Sequence, residues 1–124
     1  MSNGYHEENL SEATMNAHRA ITSMKEELEA VDWYHQRADA TADAELQAIL
    51  EHNRDEEIEH ACMLMEYLRR TMPAFDENMK TFLFSDLPIT QIEEAEEGGD
   101  GDADEAEGSG EEGGQGSLGI GKLA

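Results

Sequence analysis

Between Leu50 and Leu64 the chain reads Leu50-Glu51-His52-Asn53-Arg54-Asp55-Glu56-Glu57-Ile58-Glu59-His60-Ala61-Cys62-Met63-Leu64. Steps of three and four along it land on Leu50, Asn53, Glu57, His60 or Ala61, and Leu64. That spacing marks one face of an α-helix, and the face is apolar except where Asn53, Glu57 and His60 interrupt it. Glu57 and His60 are three residues apart, so their side chains lie together. This is the one Glu-x-x-His of the sequence.

The helical pattern extends well beyond this stretch. Residues 12 to 72 contain neither Gly nor Pro and are rich in Ala, Glu, Leu, Met and Gln, a composition that favours helix. Leu46, Ile49, Leu50, Ala61, Leu64 and Leu68 carry the apolar stripe of the second half; Ala17, Ala20, Ile21, Met24, Leu28, Val31 and Ala38 carry that of the first. One unbroken helix of this length would run to ~90 Å, too long for a small domain. A break is expected at Ala38-Asp39-Ala40-Thr41-Ala42-Asp43, where three side chains can cap a following helix. Pro73 then opens a short helix, expected over Phe75 to Phe84, which Ser85-Asp86-Leu87-Pro88 ends. The fold class is all-α: an antiparallel two-helix hairpin plus a short C-terminal helix, over residues 1–92. Such a hairpin has too few layers to cover its apolar stripes, so the chain is expected to self-associate.

In the first helix, steps through Ala20, Met24, Glu27, Val31 and Tyr34 place Glu27 on the stripe. With the turn centred near Ala42, Glu27 lies 15 residues before it and Glu57 lies 15 after it, and in an antiparallel hairpin the two meet at one level. A Glu from one helix and Glu-x-x-His from its neighbour make half of the di-iron carboxylate site of four-helix bundles. Carboxylates bridge metals and imidazole adds a neutral ligand. The chain holds one half, so two copies must pair to complete the set, giving a ferritin-like four-helix bundle by dimerisation. Carboxylates in an apolar stripe invite a cation, because burying them uncompensated is costly.

Other candidates have plainer readings. Asp32 and His35 form an acid-x-x-His off the stripe, read as a surface pair; His52 and Glu56 are a solvated i, i+4 pair; His6 and His18, near the start, are assigned no role. Cys62 is expected to be a small buried hydrophobe beside Ile58 and Met65. Glu26 and Glu29 flank Glu27 on the outward side, where they are either a solvated face or a carboxylate pair that gathers cations.

Charge narrows the function further. The chain has 124 residues with 30 Asp plus Glu against 8 Lys plus Arg, a net charge of −22. That excludes nucleic acid and anionic membranes as partners and makes cations the natural ones. The longest apolar run, Ala61 to Met65, is far short of the roughly 20 residues of a membrane span. The first residues lack the features of a secretory signal, so a cytoplasmic protein is expected. With Cys62 alone, no intrachain disulfide forms and any metal is held by oxygen and imidazole. Residues 93 to 124 differ from the rest, with 11 acids, one base and 10 of the 11 glycines. Residues 93–117 are expected to be a disordered acidic Gly-rich linker. Residues 118–124, Leu118-Gly119-Ile120-Gly121-Lys122-Leu123-Ala124, carry three aliphatic side chains and read as a docking peptide on that tether.

The runs Met24-Lys25-Glu26-Glu27-Leu28-Glu29-Ala30-Val31-Asp32-Trp33-Tyr34-His35-Gln36-Arg37-Ala38-Asp39 and Glu51 to His60 closely resemble the encapsulated ferritins. The resemblance covers roughly residues 1 to 92. It extends to Ser117-Leu118-Gly119-Ile120-Gly121, which is similar to the peptides that load cargo into encapsulin nanocompartments. It implies a ferroxidase that oxidises Fe(II) with dioxygen at di-iron sites between paired chains, one iron per chain. It also implies an annular decamer of five dimers, working in the lumen of an encapsulin shell that stores the mineral. Glu57 would bridge the irons, Glu27 and His60 would be terminal ligands, and Tyr34 would stand near them. Glu26 and Glu29, with Trp33 close by, would form an outer uptake site whose cation, iron or calcium, is left open. Two other functions fit the same residues: a non-catalytic helical cargo or adaptor of the shell, and a rubrerythrin-like di-iron peroxidase.

Overall fold

The computed structural model describes residues 4–98, with side chains to residue 95. In chain order the elements are α1 (Glu12–Ala40), α2 (Ala44–Thr71), α3 (Pro73–Phe82), a 3-10 turn (Ile89–Gln91) and α4 (Ile92–Gly98). No strand occurs among the described residues, and no described helix is long and apolar enough to cross a membrane. The chain divides into two compact units between Phe75 and Asp76.

The first unit is the α1/α2 hairpin. The break falls within the expected stretch, and it is made by side-chain capping alone. Asp43 Oδ1 accepts from the Glu45 and Leu46 amides at 3.0 and 3.1 Å, and Thr41 Oγ1 accepts from the Asp43 amide at 3.1 Å. A cap of this kind contributes about 1 kcal/mol, enough to start a helix where no Gly or Pro marks the turn. The Gln47 amide donates back to the Ala38 carbonyl at 2.9 Å, tying the two helix ends together. At the other end Ser11 Oγ caps α1 by accepting from the Thr14 amide at 3.1 Å. The register is antiparallel: Ala38 meets Gln47, His35 meets Arg54 at 3.1 Å, and Glu27 meets His60 at 3.4 Å.

The seam between the helices is narrow. Ala20, Ala38, Ala61 and Leu68 are buried, three of them small enough to let the backbones approach. Met24, Val31, Tyr34, Leu50 and Leu64 are half-buried along the same stripes. A second stripe on α2, Leu46, Ile49, Met63 and Tyr67, stays open, with Ile49 at 52% and Met63 at 59% exposure. His60 lies on its helical spacing, between Ile49 and Met63. Large apolar side chains rarely stand in water along such a stripe in a finished assembly.

Three expectations change. The short helix begins two residues early, at Pro73, whose missing amide donor suits the first helical position. It ends at Phe82, and Phe84 has a left-handed backbone (φ 61°) that no helix continues through. Cys62 is exposed rather than buried; the neighbouring Ala61 takes the seam. In the second unit, α4 carries helix through Gly98, into the segment 93–117 expected to be unfolded. Glu93 and Glu94 occupy its first turn, where the helix dipole favours negative charge, and Ile92 at its start is buried. The remainder of 93–117 and the peptide 118–124 lie outside the described residues.

Candidate metal centre

Glu27 sits nearly four turns before the end of α1, and Glu57 and His60 sit in the middle of α2, one turn apart. The hairpin register brings them level, as their equal distance from the turn requires. His60 Nδ1 lies 3.4 Å from Glu27 Oε1 and 3.4 Å from Glu57 Oε1. One ligand atom from each of the three falls within 4.8 Å of the others. Among the described residues this is the cluster of His, Cys, Asp and Glu in which three such atoms converge.

The electrostatics belong to a site that wants a cation. Glu27 has its pKa raised above the usual 4.5, first by the hydrogen bond it shares with Glu57, then by burial and by the negative charge of Glu57; His60 works against these. For His60, burial is the largest single influence and lowers the pKa. The hydrogen bonds and charges of Glu27 and Glu57 outweigh it together, and the imidazole is held above 6.5. Two carboxylates and one imidazole thus compete for protons that a divalent cation would replace. The donor chemistry, two hard oxygens and one nitrogen, fits iron. The two contacts of His60 also fit: ligands at about 2.1 Å from one metal stand no more than ~4.2 Å apart, and both contacts are 3.4 Å. Glu27 and Glu57 are 27% and 25% exposed, but His60 is 41% exposed. The site is closed on the hairpin side and open on the other.

A proton-linked stability follows from these shifts. Both groups bind protons more tightly folded than unfolded. The contribution of His60 is therefore present below about pH 6.5, and that of Glu27 below about pH 4.5; each is lost as pH rises through the higher folded value. The metal-free protein is expected to become less stable from mildly acidic to neutral pH. Glu27→Gln, which keeps the shape and removes one negative charge, should raise its Tm at pH 7 by roughly 2–5 °C. Calorimetry on chelator-treated protein checks this, and an unchanged or lower Tm in the variant would contradict it.

The other expected residues are arranged less tightly. Tyr34 is half-buried on the seam, two turns along α1 from Glu27. Glu26 and Glu29 are exposed on the outer side of α1, and Trp33 is 50% exposed; within one chain they form no converging cluster. Asp32 accepts from the Gln36 amide at 2.9 Å rather than pairing with His35. His52 and Glu56 make the expected exposed pair at 3.3 Å.

Other polar contacts are additional to those expected. His35 Nδ1 accepts from Arg54 Nη1 across the hairpin, and Arg54 Nε donates to Asp55 Oδ1 at 3.0 Å. Arg37 lies over the rings of Trp33 and Tyr34, at 5.9 and 5.6 Å; its i+4 and i+3 spacing is the signal that the sequence offers. Glu66 accepts from both Arg69 and Arg70, whose hydrogen bonds hold its carboxyl down at about 2.

With this geometry in place, likeness to known proteins is informative. The family described as EncFtn-like matches residues 4–86. The chain is 55% identical over 124 residues to the encapsulated ferritin-like protein of Rhodospirillum rubrum, covering 98% of this chain and 89% of that one. It is 52% identical over 126 residues to a ferritin-like protein of Thermotoga maritima, covering 99% and 100%. A crystal structure of a Nitrosomonas europaea protein superposes with a TM-score of 0.66 at 58% identity, over 69% of this chain and 97% of that one. The chain, an all-α, ferritin-like hairpin, thus belongs to the EncFtn-like family of encapsulated ferritin-like proteins.

Proposed function

We propose that the chain is a ferroxidase whose substrates are Fe(II) and dioxygen. Two copies pair so that Glu27, Glu57 and His60 of each enclose two Fe(II) ions. Each iron gives up an electron to dioxygen, and Fe(III) passes on for storage. The observation that carries this reading is the convergence of Glu27, Glu57 and His60 with the His60 side open, beside an uncovered apolar stripe. One chain supplies one Glu and one Glu-x-x-His; a dinuclear carboxylate site takes two of each. A twofold axis through that open side provides them.

In this reading Glu57 spans the two irons, Glu27 and His60 complete each coordination set, and Tyr34 stands nearby on the seam. Glu26, Glu29 and Trp33 make the outer uptake site, for iron or calcium, once chains are assembled into an annular decamer. The name of the Rhodospirillum rubrum relative supports placement inside an encapsulin shell, as does the aliphatic peptide Leu118–Ala124. The protein would then work in the lumen of a cytoplasmic nanocompartment.

Native mass spectrometry during an anaerobic Fe(II) titration tests the reading. The expected result is iron only in even-numbered oligomers, saturating near one per chain. Weak binding without a plateau would leave a non-catalytic helical cargo protein. Faster turnover with hydrogen peroxide than with dioxygen, compared by stopped flow, would move the chain to the rubrerythrin-like peroxidases.

A further inference from the structure

Arg37 is one of 8 Lys and Arg residues in a chain with 30 acids, yet no carboxylate lies within ion-pair distance of it among the described residues. Its guanidinium instead stands over Trp33 and Tyr34, 5.9 and 5.6 Å from the ring centroids, within the range of cation–π attraction. Trp33, Gln36 and Arg37 line an open groove of about 260 Å³. The Gln36 amide is fixed by donation to Asp32 Oδ1 at 2.9 Å. A base in the last turn of α1 also favours the helix dipole. Any flexible Lys would serve that purpose, however, and none needs two aromatic rings beneath it.

We propose that this groove is an anchor for a second copy of the chain: Arg37, placed over Trp33 and Tyr34, takes a carboxylate from its partner. The inference rests on the self-association in the function proposed above and adds to it a contact outside the metal cluster. Charge complementarity selects the occupant. The surface of a second copy is overwhelmingly acidic, so a guanidinium with no carboxylate beside it among the described residues is a feature that it meets favourably. Trp, Tyr and Arg are also the residue types that dominate interface energetics when grouped. Cation–π attraction to two rings favours this position of the guanidinium before the partner arrives, which lowers the entropy cost of the ion pair.

Self-association of the full-length, metal-free protein tests this, measured by mass photometry over a concentration series. Trp33 is the one tryptophan of the chain, so its emission reports the groove directly. Arg37→Gln should weaken association about tenfold or more at unchanged helicity by circular dichroism. Arg37→Lys should recover only part of the loss, because it lacks the planar fork. Salt screens the repulsion between two acidic chains as well as the ion pair, so the informative quantity is the difference between the proteins: the advantage of the wild type over Arg37→Gln, in association and in Trp33 emission, should shrink as NaCl is raised. Equal association of wild type and Arg37→Gln would overturn the anchor while leaving the paired metal site intact. A wild type that stays monomeric with and without Fe(II) would overturn the paired site as well. Inorganic phosphate shifting the Trp33 emission of the monomer, with association insensitive to Arg37→Gln, would make the groove a small-anion site instead.

Discussion

Glu57→Ala is expected to slow Fe(II) oxidation by more than about 100-fold, the upper end of the loss seen when a mere outer-shell partner of a metal is removed. Glu57 touches both of the other candidate ligands: its Oε1 is 3.4 Å from His60 Nδ1, and its hydrogen bond is the main cause of the raised pKa of Glu27. In a twofold pair the substitution removes two carboxylates at once. Glu27 and His60 remain, enough to hold a metal weakly but without a group to span two. The stability of the metal-free variant separates this from a folding defect. Glu57 is partly buried, at 25% exposure, but its negative charge opposes that of Glu27, so its loss should leave the metal-free Tm equal or higher. The check is stopped-flow formation of Fe(III) with calorimetry on the same preparation. Unchanged kinetics would remove Glu57 from the site, and a collapsed Tm would make it a structural residue. The expected pattern, a large loss of activity without loss of stability, is that of a residue kept for function at some cost to the fold.

Glu57 is legible in the sequence because its surroundings are regular. Apolar residues at helical spacing define a seam, and a charged residue on that seam stands out, as Glu27 and His60 also do. The equal separation of Glu27 and Glu57 from the turn then requires them to meet, and Asp43 caps α2 where the small residues mark the break. Cys62 is misleading because its helical neighbours, Ile58 and Met65, are apolar. A hairpin has only one partner helix to bury against, and Ile58 at 43% exposure faces away from it. An apolar neighbour in a half-bundle is evidence of an interface to come, not of a core. The α4 helix is hidden for a different reason: its sequence, Ile92-Glu93-Glu94-Ala95-Glu96-Glu97-Gly98, has the charge of a linker. Among its described side chains, one buried residue, Ile92, distinguishes it. The position of Arg37 over Trp33 and Tyr34 is hidden in plain spacing, since a basic residue late in a helix already has an ordinary explanation.

Ending the chain at Ser117 should leave iron oxidation unchanged and abolish co-purification with an encapsulin shell protein. The two effects separate because the candidate ligands Glu27, Glu57 and His60 lie wholly on α1 and α2, whereas the removed residues carry only Leu118, Ile120 and Leu123 as large apolar groups. Each such side chain contributes roughly 1.5–3 kcal/mol when fully buried, before the cost of ordering the peptide. One peptide should therefore hold weakly. An oligomer of the kind proposed would present several, and each engaged copy would raise the effective concentration of the next, so that capture by a shell would be governed by avidity. Mixed oligomers of full-length and shortened chains should accordingly still load when about half their tails remain, and fail steeply below that. Co-expression with the shell protein, followed by purification of the particle and quantification of cargo per shell, measures both limits. Loading in simple proportion to the number of tails would mean that each peptide binds tightly alone. Loading that survives complete removal would move the docking surface onto the helical domain, where the open stripe of Leu46, Ile49, Met63 and Tyr67 would then have two claimants, the shell and a second copy of the chain.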